Sequence, residues 1–222
     1  MGITVYGNPA SPYVRSVLIG LEEKGAPYEV AGLGIEEIKQ RPYLDRHPFG
    51  RIPAFEHDGF ALYESQAILR YLDAVFPHNP LQPADARAAA RMNQLIGICD
   101  WYVFQQIGVP IIFQRFVKPM LMGGAPDESV IANAMPQAQT CVGTIAKLAQ
   151  EPFLTGPQIA IADIMLAAHL NMAVNCTPEG KTLIAPYARL SEWLARMQTR
   201  PSMQKTDVLK QAAQAAQAAQ AA

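Results

Sequence analysis

A proline-rich stretch at 77–84 divides the sequence into two parts with different patterns. Before it, short runs typical of strands alternate with apolar residues at helical spacing, and after it every pattern is helical. Polar, proline-rich segments of this kind are typical of linkers between domains. We therefore expect an α/β domain at 1–78 and an all-helical domain at 85–210.

The first part predicts the order strand, helix, strand, helix, strand, strand, helix. Residues 3–6 form the first strand, and apolar residues at helical spacing follow from Val14 onward. A second extended piece at 28–30 completes a strand-helix-strand unit, whose two strands should be parallel with a right-handed crossover. Asp58 and Gly59 form a hairpin signal, so the runs on either side of them should pair antiparallel.

The second part predicts four helices and a repetitive tail. The apolar patterns place the helices at about 85–118, 127–149, 160–173 and 186–199. The tail at 211–222 consists of four Gln-Ala-Ala units, which favour a helix but build no lasting apolar face. We expect a fraying helix or a disordered end there and assign it no function.

The charge and the amino terminus narrow the possible partners and location. A net charge of −1 over 222 residues provides no broad basic field for nucleic acid or for anionic membranes. The apolar stretch at 95–116 is interrupted by charged and amide side chains, so it predicts no membrane span. The first residues show neither a leader pattern nor a myristoylation signal. We expect a cytoplasmic protein that binds neither nucleic acid nor a membrane.

The cysteines and histidines give no sign of a metal site or a disulfide framework. Cys99, Cys141 and Cys176 are odd in number, widely spaced and without a Cys-x-x-Cys pair. Buried, reduced thiols are the expected state. The four histidines form no cluster with acidic residues along the sequence, so we expect no metal cofactor.

Ser11 and Pro12 stand where the first helix should begin, directly after the first strand. A serine there can cap the helix, because its oxygen accepts a hydrogen bond from an unpaired N–H group, and this is the plainer interpretation. The alternative is functional: the exposed N–H groups and the positive end of the helix dipole favour an anion such as a thiolate. A hydroxyl aimed at the sulfur would lower the pKa of a bound thiol further.

Two further segments of the first part carry polar groups at element boundaries. Pro53 opens a strand directly after a loop, where a cis peptide bond would leave the backbone of Ile52 facing outward, although an edge-strand proline without a ligand is an equal alternative. Glu64 and Ser65 precede the next helix and offer a carboxylate for an ammonium group and a hydroxyl for a carboxylate. Taken alone, Glu-Ser at a helix start is far more often a cap.

Three segments in register resemble the amino-terminal domain of glutathione transferases, namely 11–15 (Ser-Pro-Tyr-Val-Arg), 47–55 (His-Pro-Phe-Gly-Arg-Ile-Pro-Ala-Phe) and 62–68 (Leu-Tyr-Glu-Ser-Gln-Ala-Ile). The chain looks most like the serine-type branch, the theta and phi classes and their bacterial relatives, over nearly its whole length except the tail. The resemblance implies a thioredoxin-like first domain and an all-helical second domain. It also implies a glutathione transferase that directs the thiolate of its co-substrate, glutathione, at small hydrophobic electrophiles.

The resemblance implies roles for individual residues. Ser11 would stabilise the glutathione thiolate. Ile52, before a cis-Pro53, would pair its backbone with the cysteinyl unit, and Glu64 and Ser65 would hold the γ-glutamyl head group.

Three more residues of the first domain match the family pattern more loosely. Lys39 and Arg51 are candidates for the glycyl carboxylate and the nearby backbone, although plant-type relatives often carry glutamine at the position of Arg51. In other classes a tyrosine at the end of the first strand donates to the sulfur. Tyr6 stands near that place, but a core aromatic residue is the plainer interpretation of it.

The resemblance places the electrophile between the domains, against the first long helix. Trp101, Phe104 and Ile111 would supply apolar surface there, although most apolar residues of such a helix are simply core. The start of a later helix departs from the family pattern, because Ala160 replaces the usual capping hydroxyl three residues before Asp163. That helix should depend on core packing or on Asp163 bonding to nearby amides.

Two other functions stay open. The same thiolate could reduce organic hydroperoxides or isomerise a double bond, and the fold also serves as a non-catalytic interaction module. Retention of Ser11, Pro53, Glu64 and Ser65 together argues against a pure module. Family members are usually homodimers, and we expect a homodimer from the resemblance alone.

Overall fold

The computed structural model describes residues 2–221, with the backbone alone described from 217 onward. The chain forms two compact units: unit 1 comprises Met1–Pro80 and Thr199–Ala222, and unit 2 comprises Leu81–Gln198. The boundary after Pro80 falls inside the predicted linker. The second boundary groups the end of the chain with unit 1, whereas the sequence pattern extended the helical domain to residue 210.

Unit 1 is built around a four-stranded mixed sheet. Its strands are β1 (Ile3–Tyr6), β2 (Tyr28–Ala31), β3 (Ala54–His57) and β4 (Phe60–Tyr63), in the spatial order β2-β1-β3-β4. β1 and β2 are parallel and β3 and β4 are antiparallel, as the sequence predicts. β1 also pairs with β3, in antiparallel orientation. Asp58 and Gly59 have φ values of 50° and 84°, and two positive φ angles are what a tight two-residue hairpin turn requires.

The helices are α1 (Pro12–Lys24), α2 (Tyr43–Arg46), α3 (Ser65–Val75), α4 (Ala86–Met122), α5 (Glu128–Leu148), α6 (Ile161–Cys176), α7 (Pro178–Ile184), α8 (Ala188–Gln198), α9 (Pro201–Lys205) and α10 (Val208–Ala221), with a 3₁₀ turn at Glu37–Lys39. The four helices predicted for the second part correspond to α4, α5, α6 and α8. The sequence pattern did not predict α7, because its 7 residues are too few to show a period. Residues 211–221 of the Gln-Ala-Ala repeat are helical, within α10.

The core of unit 1 fixes where α1 and α3 begin. Both helices present apolar residues to the sheet and to each other. The buried cluster includes Val5, Val14, Leu18, Phe55 and Ile68, each at most 3% exposed. Because these side chains are packed on all sides, the first turns of both helices are held in fixed positions relative to the strands.

The end of the chain packs on α1 through charged groups. Arg15 is 6% exposed, and its Nη2 donates to the carbonyl of Met203 at 2.8 Å and to the carboxylate of Asp207 at 2.9 Å. Near the other end of α1, the Arg200 guanidinium donates to the Glu23 carboxylate at 2.6 and 2.8 Å. Removing one partner of a buried ion pair typically costs about 3–5 kcal/mol. The segment after residue 199 is therefore an integral part of unit 1.

Unit 2 is organised around α4. In the middle of this helix, Cys99–Val117, the turns are of the wider π type, and the N–H of Lys118 accordingly donates to the carbonyl five residues earlier. Val103, Ile107 and Ile111 are at most 1% exposed, on the side that packs against α5 and α6. By length and composition α4 could cross a membrane, and core helices of soluble proteins meet the same criteria. Of its most apolar 18-residue segment, 44% is buried within the protein.

The start of α6 is held by Asp163. The Asp163 carboxylate is fully buried and accepts hydrogen bonds from the N–H of Leu154 at 2.8 Å, the N–H of Ala160 at 2.9 Å and the indole N–H of Trp193 at 2.8 Å. Burial raises the pKa of Asp163 to about 6, and the three donors act in the opposite direction. The helix thus keeps half of a capping box, with Asp163 bonding to nearby amides as expected from the missing hydroxyl.

Candidate functional site

The end of β1, the start of α1 and the loop before β3 meet at Gly7. This glycine has a φ of 146°, and a Cβ placed on it would lie 2.8 Å from Cγ2 of Val14 and 2.9 Å from Cβ of Ile52. Such contacts leave no room for any side chain at position 7. The first turn of α1 and the residue before Pro53 are therefore in direct proximity.

The start of α3 joins the same place. Ser65 Oγ donates to the carbonyl of Tyr13 at 3.4 Å, and Ser65 is 6% exposed. The first turns of α1 and α3 therefore touch each other. The three sequence segments that carry the resemblance converge at one edge of the sheet in unit 1.

Ser11 is the residue before α1 and has extended backbone angles, φ −67° and ψ 130°. Its carbonyl accepts the N–H of Arg15 at 2.9 Å, which is the first intrahelical hydrogen bond. Within the described chain its hydroxyl makes no capping hydrogen bond. The plain capping interpretation of Ser11 therefore finds no support in its contacts, and Ser11 is a half-buried residue directly before the first turn of α1.

The loop before β3 contains the expected cis peptide bond, between Ile52 and Pro53. The pairing of β1 with β3 begins only at Ala54, so the backbone N–H and C=O of Ile52 lie outside the sheet ladder. The Tyr43 hydroxyl supports the preceding residue by donating to the Arg51 carbonyl at 2.5 Å. This places an extended backbone segment next to the first turn of α1.

Glu64 has an unusual backbone for a non-glycine residue, with φ 72° and ψ 109°. Its carbonyl accepts the N–H groups of Ala67 and Ile68 at 2.9 and 3.0 Å, so it begins α3 through its backbone. The carboxylate is exposed and makes no capping bond to any described residue. Backbone strain of this kind costs about 1–3 kcal/mol and concentrates at functional sites, which favours a ligand-binding role for Glu64 over a capping role.

Lys39 and Arg51 lie on neighbouring stretches of the same surface. Gly50, with φ 56°, lies so close to the Ile38 carbonyl that an added Cβ would be 3.1 Å from that oxygen. The 3₁₀ turn that contains Lys39 therefore packs beside the loop that contains Arg51. The Lys39 side chain is 63% exposed, with Nζ 3.8 Å from the carboxylate of Glu36, and Arg51 is exposed.

Tyr6 is engaged with charged neighbours. Its hydroxyl donates to Glu56 at 3.5 Å, and the Arg46 guanidinium lies 4.3 Å from the centre of its ring. Arg46 also pairs with Glu56 at 2.5 Å. These contacts occupy both the ring and the hydroxyl of Tyr6, on the face of the sheet that carries Glu56.

The three residues expected to face the electrophile are in different surroundings within unit 2. Trp101 is 72% exposed and lines a cavity of about 760 Å³ between α4 and α5. Phe104 is half-buried and is not part of that lining, and Ile111 is fully buried in the core. The structure therefore does not bring the three side chains together around this cavity.

The cysteines are all free thiols, with Cys99 and Cys141 buried and Cys176 half-buried. Burial raises the pKa of the Cys99 thiol well above its usual value and that of Cys141 to about 12. Both thiols are therefore protonated and unreactive at neutral pH. Among residues 2–221, no group of three or more histidine, cysteine or acidic side chains is arranged to hold a metal ion.

Sequence reasoning gave no role to His47, which the structure places against this site. The residue is 2% exposed, and its ring lies 4.7 Å from the ring of Tyr63, directly before Glu64. The signal in the sequence is a single histidine in the turn that leads to Pro53.

Comparison with known proteins identifies both halves of the chain. Residues 5–80 match the family model of the glutathione S-transferase N-terminal domain, and residues 128–196 match that of the glutathione S-transferase C-terminal domain. Glutathione S-transferase 3 of Zea mays is 30% identical over 207 residues, which cover 92% of this chain and 92% of the maize protein.

Solved structures agree with the sequence comparison. A glutathione S-transferase from Rhodospirillum rubrum F11 is 27% identical and superimposes with a TM-score of 0.78. The matched region covers 92% of this chain and 91% of the Rhodospirillum chain. Glutathione S-transferase-I, solved with the ligand lactoylglutathione, is 25% identical in sequence and superimposes with a TM-score of 0.81. The matched region covers 94% of this chain and 100% of that transferase. A thioredoxin-like unit, an all-helical unit and these matches agree in one assignment: the chain belongs to the glutathione S-transferase family.

Proposed function

We propose that this transferase binds glutathione at the edge of the sheet in unit 1 and that Ser11 stabilises its thiolate. The observation that carries the proposal is the Ser11 hydroxyl, which stands at the first turn of α1 without serving as a cap. A free thiol with a pKa of about 8.5 is ionised only to a few per cent at pH 7. A hydroxyl donor and the positive end of a helix lower that pKa and so increase the amount of nucleophile.

The peptide backbone of glutathione would lie along the loop before β3. The backbone of Ile52, outside the β1–β3 ladder, offers one donor and one acceptor to the cysteinyl unit, next to Pro53. This is the pairing of an added strand, in which main-chain hydrogen bonds give affinity. Proximity of Ile52 to the first turn of α1, through Gly7, supports a cysteinyl sulfur directed at Ser11.

The charged ends of glutathione would be held by opposite charges. The exposed Glu64 carboxylate suits the ammonium group of the γ-glutamyl unit, and Ser65 with the first turn of α3 suits its carboxylate. Lys39 and Arg51 suit the glycyl carboxylate at the other end. The arrangement of one anion and two cations complements the charges of the tripeptide.

We propose that the electrophile binds against an apolar surface of α4 formed by Trp101, Phe104 and Ile111. The exposed ring of Trp101 and the half-buried ring of Phe104 are available for contact, and Ile111 would support them from the core. A small hydrophobic electrophile is the substrate class that such a surface favours.

We further propose a cytoplasmic homodimer that binds neither nucleic acid nor a membrane. The near-neutral net charge supports the absence of a nucleic-acid partner. The side chain of Phe49, a large apolar group that is 70% exposed, supports a contact between copies. Light scattering of the purified protein measures the mass directly, and a monomeric mass contradicts the dimer.

The function is tested by binding and turnover measured on one preparation. Retention on immobilised glutathione, followed by conjugation of a chlorodinitrobenzene-type substrate, is the expected result. Parallel assays with an organic hydroperoxide and an isomerisable double bond establish whether the thiolate also performs those reactions. Binding without turnover of any of these substrates would support a non-catalytic module instead.

A further inference from the structure

The last segment of unit 1 is bound to α1 near both ends of this helix. Near the start of α1, the Arg15 guanidinium donates to the Asp207 carboxylate at 2.9 Å. Near its end, the Arg200 guanidinium donates to the Glu23 carboxylate at 2.6 and 2.8 Å. We name residues 200–207 the terminal strap. Because the two attachments are about 12 Å apart along the axis, α1 can neither slide nor rotate without breaking them.

Arg15 connects the terminal strap to Ser11. Its backbone N–H donates to the Ser11 carbonyl at 2.9 Å, which is the first hydrogen bond of α1. Its side chain is buried, and Nη2 donates to the Met203 carbonyl at 2.8 Å and to the Asp207 carboxylate at 2.9 Å. One buried side chain and one backbone hydrogen bond therefore join the strap to the residue before α1.

Asp207 is itself held in place by the start of α10. While its Oδ2 accepts the Arg15 guanidinium, its Oδ1 accepts the N–H of Lys210 at 3.1 Å. Its backbone carbonyl accepts the N–H of Gln211 at 3.0 Å. One carboxylate thus caps α10 and binds a side chain of α1, so the anchor of Arg15 is a fixed point of unit 1.

The apolar core does not supply the same constraint. Val14, the neighbour of Arg15 in α1, is fully buried in the core of unit 1. Apolar burial is non-directional, whereas hydrogen bonds between charged groups have defined lengths and angles. Stability does not require charges here either, because apolar side chains of similar volume often replace a buried ion pair without loss. What the ion pair adds is a defined orientation of the first turn of α1.

Resting on the proposed thiolate role of Ser11, we propose that Arg15 and Asp207 are positioning residues that orient the Ser11 hydroxyl and the first N–H groups of α1 toward the glutathione sulfur. The groups of a site must be held within about 0.5 Å of the productive geometry, and an error of about 1 Å can cost a factor of about 100 in rate. Loss of the anchor should therefore weaken the stabilisation of the thiolate.

The first test removes the anchor without changing the net charge of the protein. Arg15→Met/Asp207→Asn removes the ion pair and keeps an amide oxygen that can cap α10. The matched control is Arg200→Met/Glu23→Gln, the same kind of replacement at the other attachment of the terminal strap. The control lies about 18 Å from Ser11 along the helix, so it loosens α1 without reaching the first turn.

The two double variants should differ in the pKa of the bound thiol, measured by ultraviolet absorbance of the thiolate. We expect this pKa to rise by about 1 unit in Arg15→Met/Asp207→Asn and to keep its wild-type value in the control. The rise should lower kcat at pH 7 about three- to 10-fold, with recovery at higher pH, and should leave KM for glutathione within about threefold. Arg15→Lys should keep the wild-type pKa, because one ammonium nitrogen can donate to both partners of Nη2.

The second test establishes whether the pair acts through Ser11. In a Ser11→Ala background no hydroxyl remains to be positioned, so Arg15→Met/Asp207→Asn should raise the pKa of the bound thiol by less than about half as much as in the wild type. A merely structural ion pair would change this pKa equally with and without the hydroxyl, and that result would overturn the proposal.

A milder variant keeps the proposal testable if the double variant does not fold. Asp207→Asn alone leaves the Arg15 cation without its carboxylate partner. Because a cation favours a thiolate, a raised thiol pKa in this variant can come only from lost position. An unchanged or lower pKa, or an equal rise in the Arg200→Met/Glu23→Gln control, overturns the positioning role.

Failure of this inference is distinguishable from failure of the proposed function. Wild-type protein that binds glutathione, with a thiol pKa that depends on Ser11 but not on Arg15 and Asp207, contradicts the positioning role alone. Wild-type protein that shows no heat of glutathione binding by calorimetry contradicts the proposed function together with this inference.

Discussion

Ser65 Oγ donates across 3.4 Å to the carbonyl oxygen of Tyr13, a residue 52 positions away in the sequence, and so joins the first turns of α3 and α1. Each first turn carries N–H groups without intrahelical partners and the positive end of a helix dipole. Two such ends in contact favour two anionic groups close together. A thiolate and a carboxylate of one small peptide meet that requirement.

Replacement of Ser11 by alanine should raise the pKa of the enzyme-bound thiol by about 1–2 units, because a hydrogen bond to a charged group contributes about 1.5–3 kcal/mol. Conjugation at pH 7 should slow by about the same factor in thiolate fraction, roughly 10- to 100-fold. Ultraviolet absorbance of the thiolate, titrated with pH in the complex, measures the pKa directly. An unchanged bound pKa would remove Ser11 from the proposed role.

Tyr6→Phe is the matched control for Ser11→Ala, since it also removes one hydroxyl near the end of β1. The Tyr6 hydroxyl bonds to Glu56, and its ring is covered by Arg46. We expect the bound thiol pKa and kcat to stay at wild-type values. A pKa rise in Tyr6→Phe comparable with that of Ser11→Ala would assign the thiolate to the tyrosine instead.

Glu64 should combine a functional role with a local cost in stability. Glu64→Gln keeps the side-chain shape and removes the charge, so glutathione should bind about 10-fold or more weakly, while an analogue without the ammonium group should bind equally to both proteins. Glu64→Gly removes the Cβ at a φ of 72° and should raise the free energy of unfolding by about 1 kcal/mol while losing affinity. Calorimetry and chemical denaturation measure the two effects. A less stable Glu64→Gly variant would argue that the backbone there is not strained.

The missing hydroxyl before α6 offers a stabilising substitution. Ala160 has extended backbone angles and its N–H already donates to Asp163, so Ala160→Ser should complete the capping box and add about 1 kcal/mol to the free energy of unfolding. Ala160→Cys has nearly the same shape with a much weaker acceptor and serves as the control. Urea denaturation of the three proteins gives the comparison, and equal stability of the serine and cysteine variants would show that the hydroxyl makes no capping bond.

His169 should make unit 2 sensitive to acid. Its Nδ1 donates to the Met165 carbonyl at 2.8 Å, and burial lowers its pKa to about 4 from 6.5. Between pH 6.5 and 4 the histidine is therefore protonated in the unfolded chain but neutral in the folded protein. Its contribution to the free energy of unfolding is complete above pH 6.5 and falls by about 3 kcal/mol as the pH decreases to 4. His169→Asn keeps a donor for Met165 and should flatten this part of the stability profile. Equal slopes in both proteins between pH 6.5 and 4 would contradict the assignment.

The sequence predicted most of unit 1 because short-range signals specify it. The hairpin follows from Asp58 and Gly59, and the start of α1 follows from Ser11 and Pro12, whose preferences act within a few residues. The cis bond at Pro53 was expected from a proline at the start of a strand. These local signals also located the candidate site, since its residues lie at the ends of predicted elements.

Features that depend on tertiary contacts were not predictable in the same way. The apolar pattern of α4 predicts a helix, but it did not predict that the turns at Cys99–Val117 are of the π type. The return of the chain to unit 1 depends on the contact of Arg15 with Asp207, residues with no local relationship. The burial of His47 beside the candidate site was not predictable either, because a single histidine shows no periodicity. Only the folded structure shows that its Nδ1 is buried and that no side-chain or backbone partner bonds to this atom among the described residues.

Unit 1 contains the last segment of the chain, so it can be completed only at the end of protein synthesis. When the first 80 residues have left the ribosome, the sheet, α1 and α3 are available, but Arg15 and Glu23 still lack Asp207 and Arg200. A newly made amino-terminal unit must therefore expose charged groups on α1 until the last part of the polypeptide is released. A nonsense mutation that removes only the final two dozen codons would thus damage the half of the protein that was translated first.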